Sequence, residues 1–241
     1  MSRPQTIVVI PTFNEAENLR RLLPPLLDLS LHILIVDDAS RDGTARVAKE
    51  LGVGTGLVEV LERPGKLGLG SAYRDGFAKA LRAGFTTIIQ MDADGSHRVD
   101  DLRKMLEFFS ERPMCDVVIG SRWITGGRVT NWPKHREILS RTANFYSQKM
   151  LGFAVRDSTA GFRIYRAELL KKMNVQLIES EGYAFQIEMT RAAIRAGASI
   201  AEFPITFIER EIGVSKMSAS IVREALINVT KWGVTRILRK S

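Results

Sequence analysis

Met91-Asp92-Ala93-Asp94-Gly95-Ser96 sets two carboxylates one residue apart at the end of the apolar run Thr86-Thr87-Ile88-Ile89-Gln90-Met91. In extended backbone, side chains alternate with period two, so Asp92 and Asp94 are expected on the same side of the chain. There they could share a hard cation. Mg²⁺ or Mn²⁺ takes one or two carboxylates and completes its shell with water and substrate phosphate oxygens. A solvated loop cap would give the same pattern, so the elements around the pair must decide between the two.

Those elements alternate. Thr6 to Ile10 reads as a short buried strand with Pro11-Thr12-Phe13-Asn14-Glu15 as its exit loop, and a helix follows from near Asn14 with Glu15 and Glu17 in its first turn. Ile33 to Val36 forms a second strand ending in Asp37-Asp38, and Thr44 to Leu51 suits a helix. Leu57 to Leu61 is a third strand, followed by Arg63-Pro64-Gly65-Lys66-Leu67-Gly68-Leu69-Gly70 and a helix to about Ala83. Thr86 to Met91 is the fourth strand. The pattern predicts βαβ units and a mostly parallel sheet with helices on both faces. Ligands bind such sheets outside the carboxyl ends of the strands, where Pro11 to Glu15, Asp37-Asp38 and Asp92-Asp94 all converge.

Asp116 to Gly120 reads as a fifth strand that delivers Ser121-Arg122 to the same edge, and Trp123 to His135 as a functional loop. Helices are expected over Glu137 to Leu151, Ala167 to Met173 and Tyr183 to Ala196. Ile200 to Ile208 is expected as a last strand, with Pro204 marking an edge or a bulge. Ser218 to Lys240 carries Ile221, Val222, Ala225, Leu226 and Val229 at helical spacing among basic residues. It would be an amphipathic helix packed on the domain or lying in a membrane interface. The expected organisation is one α/β catalytic domain over 1–217 with that helix as 218–241.

The formal charge of +8 favours anionic partners, while 45% hydrophobic and 26% charged residues are ordinary for a soluble globular protein. The single cysteine, Cys115, excludes an internal disulfide framework and a multi-cysteine zinc site, and suits a reducing cytosol. No signal-like segment opens the chain and no run of eighteen apolar residues occurs, so membrane contact is expected to be peripheral.

Val9-Ile10-Pro11-Thr12-Phe13-Asn14-Glu15, Val36-Asp37-Asp38, Leu67-Gly68-Leu69-Gly70, Met91-Asp92-Ala93-Asp94 and Gly120-Ser121-Arg122 resemble the inverting GT-A glycosyltransferases of family 2. Asp157-Ser158-Thr159-Ala160-Gly161-Phe162-Arg163, Gly182 to Gln186 and Glu209 to Lys216 extend the resemblance, more narrowly to dolichol-phosphate mannose synthases. Asn131-Trp132-Pro133 and the Glu211 to Ser218 run are most similar to their actinobacterial branch, the polyprenol monophosphomannose synthases.

The resemblance implies a GT-A, Rossmann-like fold and transfer of mannose from GDP-mannose to a polyprenyl phosphate lipid. It implies a nucleotide pocket of Pro11, Phe13, Glu15, Val36 and Asp38, with Phe13 keeping the aromatic face of the usual tyrosine and losing its hydroxyl. Asp92 and Asp94 would hold Mg²⁺ or Mn²⁺ on the donor diphosphate, with Ser96 as a further ligand, direct or through water, and Ala93 close to the sugar nucleotide. Arg210 and Lys216 would close over the diphosphate. Arg122, Arg136 and Ser140 would bind the acceptor phosphate, a task for which guanidinium is suited because it binds phosphate in bidentate fashion and stays charged. Asp94 and Arg122 would be the central catalytic pair. Asp157 either lines the acceptor side or orients an arginine. The chain would work from the cytoplasmic face of the membrane, docking by its last helix or through a separate membrane protein.

Two enzyme readings share this fold, mannose from GDP-mannose or glucose from UDP-glucose. A non-catalytic sugar-nucleotide-binding module is a third reading. Nucleic acid ranks last, because the candidate arginines gather around a diphosphate pocket and do not line a groove with aromatic partners.

Overall fold

A computed structural model of the chain describes residues 6–210 and 219–238. The first half runs β1 (Thr6–Thr12), α1 (Ala16–Leu27), β2 (His32–Asp37), α2 (Thr44–Gly52), β3 (Val58–Glu62), α3 (Leu69–Arg82) and β4 (Thr87–Gln90). The second half runs α4 (Val99–Ser110), β5 (Val117–Ser121), β6 (Arg128–Thr130), α5 (Lys134–Leu151), β7 (Arg163–Arg166), α6 (Ala167–Met173), α7 (Gly182–Arg195), β8 (Ile200–Pro204), β9 (Thr206–Ile208) and α8 (Ala219–Leu238).

Seven strands form one sheet in the order β3-β2-β1-β4-β7-β5-β8. All neighbours pair in parallel except β7, which runs antiparallel to both β4 and β5. The order explains the continuous apolar strands. Ile7 and Val9 enter the core beneath α3 and α7, while Val8 and Ile10 enter the core beneath α1 and α4, so both faces of β1 are covered. From β1 the chain winds outward to β2 and β3 and then returns to place β4 on the other side of β1. This reversal opens a crevice at the carboxyl ends of β1 and β4, the place where open α/β sheets take ligands.

Four places differ from the sequence expectation, one being β6, a short strand within the stretch Trp123 to His135 that was expected as a loop. Helix α4 was assigned no element, although Asp100 and Asp101 in its first turn and buried Leu102, Met105 and Phe109 mark a helix start and an apolar face. Ile200 to Ile208 is two strands. The chain leaves the main sheet after Pro204 and pairs with β6 as a two-stranded ribbon, Val129 opposite Phe207. The four-residue β7 was hidden by Arg163, a residue type that usually marks a surface. Here the Arg163 guanidinium is closed to solvent and donates to the carbonyls of Ala160, Ser158 and Gln186 at 2.8, 2.8 and 3.0 Å.

Helix α8 packs on α5 and α7, with Val229 buried beside Leu151 and Ile187. Leu226, Ile227, Val234, Ile237 and Leu238 remain exposed. No helix among the described residues is long and apolar enough to cross a membrane.

Candidate active site

The exit of β1 meets the exit of β2. Thr12 donates its hydroxyl to Asp37 Oδ1 at 2.9 Å, and Ser40 donates its backbone N–H and its hydroxyl to the two Asp37 oxygens. Asp37 is therefore a structural clamp on the turn. Asp38 is held as firmly: Arg63 Nη1 donates to Oδ1 at 2.5 Å, and the Leu67 and Gly68 N–H groups donate to Oδ2 at 3.1 Å each. A carboxylate offers roughly four acceptor sites, so a ligand contact to Asp38 has about one left.

The Gly-rich stretch before α3 is closed in the same way. Glu181 reaches from the start of α7 to accept the N–H groups of Gly70 and Ser71 at 2.7 and 3.0 Å. A Cβ on Gly68, at φ +103, would lie 2.6 Å from Glu181 Oε2. The loop thus places Lys66, whose ammonium sits 4.2 Å from the centre of the Phe13 ring. Phe13 and Pro11 are half-buried at the crevice, and Glu15 accepts from Asn18 Nδ2 at 2.6 Å. Val36 and Ala93 have their side chains in the core, so what these two positions bring to the edge is backbone.

Asp92 and Asp94 lie past the last strand residue, Gln90, in a loop with Gly95 at φ +75, so strand alternation does not set where the two carboxylates point. Tyr73 donates its hydroxyl to Asp92 Oδ1 at 2.8 Å. Burial, and then Asp92 itself, push the Tyr73 phenol well above its ordinary range, so it remains a donor. A Cβ on Gly161 would lie 3.3 Å from Asp92 Oδ2, and the absence of one leaves room beside that oxygen.

Asp94 Oδ1 accepts both the Ser96 N–H, at 3.1 Å, and the Ser96 hydroxyl, at 2.5 Å. Arg210 Nη2 lies 3.2 Å from Asp94 Oδ2. Burial raises the Asp94 carboxyl, but Arg210 and the Ser96 hydrogen bonds outweigh it and hold the group below the usual carboxylate range. Beneath the loop, buried His97 is pushed below its ordinary value by desolvation, against the pull of Asp92 and Asp94. Its Nδ1 accepts the Asp92 N–H at 3.2 Å, which fixes the loop.

This donor set fits a hard divalent cation: two carboxylates with oxygens at the rim of the crevice, one ionised well below neutrality, and room beside Asp92 Oδ2. Among the described residues, no group of three or more His, Cys, Asp or Glu could hold a metal, so a cation here would complete its shell with water and substrate oxygens. Ser96 spends its hydroxyl proton on Asp94, a positioning contact.

The exit of β5 carries Arg122, and Asp157 orients it. Asp157 Oδ2 accepts Arg122 N and Nε at 2.9 and 2.7 Å, and Oδ1 accepts Nη2 at 2.7 Å. Thr159 takes a further Nη2 bond at 2.8 Å, and Asn144 donates to Thr159 at 3.0 Å. Arg136, in the first turn of α5, lies 4.2 Å from the Trp132 ring centre and donates Nη1 to Glu209. Among the described residues, Arg136 Nε and the indole N–H groups of Trp123 and Trp132 are buried without hydrogen-bond partners. Orphaned buried donors are costly, and three around one arginine pair suit an anionic ligand.

Arg122, Arg136 and Ser140 line one cavity of about 310 Å³. Its other walls are almost wholly apolar, from Tyr146, Ile187, Leu226 and Val229 among others. Arg136 to Ser147 spans about 16 Å of helix, so the cavity follows α5 away from the two arginines. Leu139 and Leu226 both line it and are 41% and 52% exposed, so they mark its mouth. Lys216 lies outside the described residues. The sequence reading missed Arg63, Tyr73, His97, Asn144 and Glu181. Arg63, Tyr73 and Asn144 act on site residues from 13 or more positions away, Glu181 reaches Gly70 from 111 positions away, and His97, only five residues from Asp92, acts from beneath the loop, so no local pattern announces these partners.

Residues 7–173 match the family described as Glycosyl transferase family 2. The chain belongs to this family. It is 47% identical over 233 residues to a polyprenol monophosphomannose synthase of Mycolicibacterium smegmatis, covering 95% of this chain and 87% of that one. It is 45% identical over 232 residues to an undecaprenyl-phosphate mannosyltransferase of Micrococcus luteus, covering 95% and 94%. Among solved structures, a mannosyltransferase from Pyrobaculum calidifontis in complex with GDP-Man and Mn²⁺ superposes with a TM-score of 0.60 at 16% identity, covering 99% of this chain and 65% of that one. Glucosyl-3-phosphoglycerate synthase from Mycobacterium tuberculosis gives 0.62 at 16% identity, covering 99% and 80%. These two likenesses carry the GT-A fold. The family 2 glycosyltransferase thus has a sheet edge with two carboxylates on one side and two buried arginines on the other.

Proposed function

We propose that this chain transfers mannose from GDP-mannose to the phosphate of a polyprenyl phosphate, with inversion at the anomeric carbon. The observation that carries the reading is the cavity: an apolar channel along α5 that meets Arg122 and Arg136, the shape and charge a phosphate on a long hydrocarbon requires. The mannosyltransferase names of relatives at 47% and 45% identity support the sugar and the acceptor class.

Arg122, fixed by Asp157, and Arg136 hold the acceptor phosphate, whose oxygen is already anionic near neutral pH, so no general base is needed. That oxygen bonds to the anomeric carbon as the bond to the GDP β-phosphate breaks, and the electron pair leaves with GDP. Asp92 and Asp94 would hold Mg²⁺ or Mn²⁺, which supplies Lewis-acid stabilisation of the diphosphate leaving group. Pro11, Phe13, Glu15 and the Asp38 turn form the nucleotide side, with Lys66 over Phe13 as an additional cation. Arg210 closes from the ribbon side, and Lys216 is proposed to follow it. The two arginines and the metal site together hold two phosphorylated substrates against their mutual repulsion, which is the larger part of the task.

The lipid acceptor requires an interface. The exposed apolar residues of α5 and α8 around the cavity mouth, with the net positive charge, support peripheral docking on an anionic membrane surface.

The test is transfer of radiolabelled mannose from GDP-mannose into a short polyprenyl phosphate, with and without Mn²⁺ or Mg²⁺, beside UDP-glucose as competing donor. The expected outcome is metal-dependent product with GDP-mannose that EDTA abolishes. Faster turnover of UDP-glucose would overturn the sugar assignment. Full activity in Asp94→Ala protein would overturn the mechanism.

A further inference from the structure

Glu209 and Arg210 are neighbours in the chain, yet each is tied to a different half of the site. Glu209 Oε2 accepts from Arg136 Nη1, on the acceptor side. Arg210 lies 3.2 Å from Asp94, on the donor side. The segment bearing them leaves β9, whose Ile208 donates its N–H to Ser96 O at 3.2 Å, and Glu209 donates its own N–H to Thr130 O at 3.1 Å. One short stretch therefore touches the loop of Asp94, the loop of Trp132 and the helix of Arg136.

Both ion pairs occupy groups that substrates would need. A carboxylate on Arg136 stands where an acceptor phosphate oxygen would bind, and a guanidinium on Asp94 competes with a cation for the same oxygen. Resting on the proposed mannosyl-transfer reading, we infer that Glu209 is a positioning residue that holds Arg136 in place of the acceptor phosphate. It lets go when Arg210 leaves Asp94 for the donor diphosphate. A cation at Asp92 and Asp94 repels Arg210, and the diphosphate it carries attracts it. Because residues 209 and 210 share a peptide bond, a backbone shift that carries Arg210 toward the donor also moves Glu209 on Arg136. Filling the donor side thus frees the acceptor arginine from Glu209.

The Trp132 ring beside Arg136 supplies the readout. Farnesyl phosphate is titrated against intrinsic tryptophan fluorescence, and in parallel by calorimetry, into the wild type and Glu209→Gln, each alone and with GDP plus Mn²⁺. In the wild type, GDP plus Mn²⁺ should tighten farnesyl phosphate binding. In Glu209→Gln, binding without GDP and Mn²⁺ should be tighter than in the wild type by roughly ten- to a hundredfold, the scale of a lost charged hydrogen bond. The added effect of GDP plus Mn²⁺ should then shrink toward none. Glu209→Asp, which keeps the charge, should retain part of the coupling, and circular dichroism of both variants checks the fold.

Equal affinity in the wild type with and without GDP plus Mn²⁺ would overturn the inference and leave the transfer reading standing. The same holds if Glu209→Gln leaves the donor dependence intact. Wild-type protein that binds no farnesyl phosphate under any of these conditions would overturn both.

Discussion

The Tyr73 hydroxyl is sealed beneath Asp92 and spends its proton on Oδ1, which turns Oδ2 toward the gap left by Gly161. The phenol is held far above its ordinary pKa by burial, so it does not deprotonate in competition with the carboxylate. Tyr73→Phe keeps the ring stacked at 5.9 Å on Phe185 and at 5.6 Å on Phe77, and removes only the donor. Loss of such an orienting partner costs about 10- to 100-fold in metal affinity. The half-saturation concentration of Mn²⁺ should rise by that factor in equilibrium dialysis with GDP present, at little cost to thermal stability. Unchanged Mn²⁺ affinity would mean that Asp92 does not hold the ion or that Tyr73 does not orient it. At this scale the sequence was legible for residues at strand exits, because exits can be located from periodicity. Tyr73, His97 and Asn144 were not legible, since each lies inside a helix or beneath a loop and reads there as an ordinary core or surface residue.

Helix α3 begins without a side-chain cap of its own, and the missing acceptor comes from Glu181, 111 residues away from Gly70. The contact ties the start of α7 to the loop that carries Lys66 and meets Asp38. Glu181→Ala leaves two N–H groups at a helix start without their acceptor, a loss of about 1–2 kcal/mol by analogy with N-cap deletions. Urea unfolding should show that loss. Glu181→Gln, which can still accept one of the two bonds, should lose less, and equal losses in the two variants would show that the carboxylate acts by charge alone. The parallel half of the sheet was readable because β1, β2 and β4 are apolar runs followed by turn chemistry and β3 keeps Val58, Val60 and Leu61 among its glutamates. β7 was not readable, since a strand of four residues with a buried arginine at its head depends on three carbonyls supplied by other segments. Pro204 was expected to mark an edge or a bulge; β8 is the edge strand of the main sheet, and after Pro204 the chain crosses to the β6 ribbon and so brings Glu209 and Arg210 over the site.

At the scale of the molecule, the exposed apolar side chains are unevenly spread. Ile138, Leu139 and Phe145 on α5, and Leu226, Ile227, Val234, Ile237 and Leu238 on α8, are exposed on two helices that pack against each other. Leu139 and Leu226 continue this surface into the cavity that meets Arg122 and Arg136. A hydrocarbon chain could pass from a bilayer along the cavity to the arginines without crossing water, which gives a physical reason for the apolar surface to lie where it does. Lys149 and Lys231, exposed on the same two helices, would favour an anionic leaflet, each contributing about 1 kcal/mol when near the surface, whereas Arg141 is paired with Glu137 and Arg236 donates to the Met150 carbonyl. Cosedimentation with phosphatidylglycerol-rich vesicles should therefore exceed that with phosphatidylcholine vesicles and weaken as salt is raised. Phe145→Glu and Ile227→Glu replace exposed apolar groups, so neither should lower thermal stability by more than about 0.5 kcal/mol. Each should reduce vesicle binding, and together they should abolish it. Both should spare turnover of a short, water-soluble prenyl phosphate and slow turnover of a long one embedded in vesicles. If the doubly substituted protein still sediments with anionic vesicles, the face of α5 and α8 is not what meets the membrane, and binding must lie elsewhere on the chain.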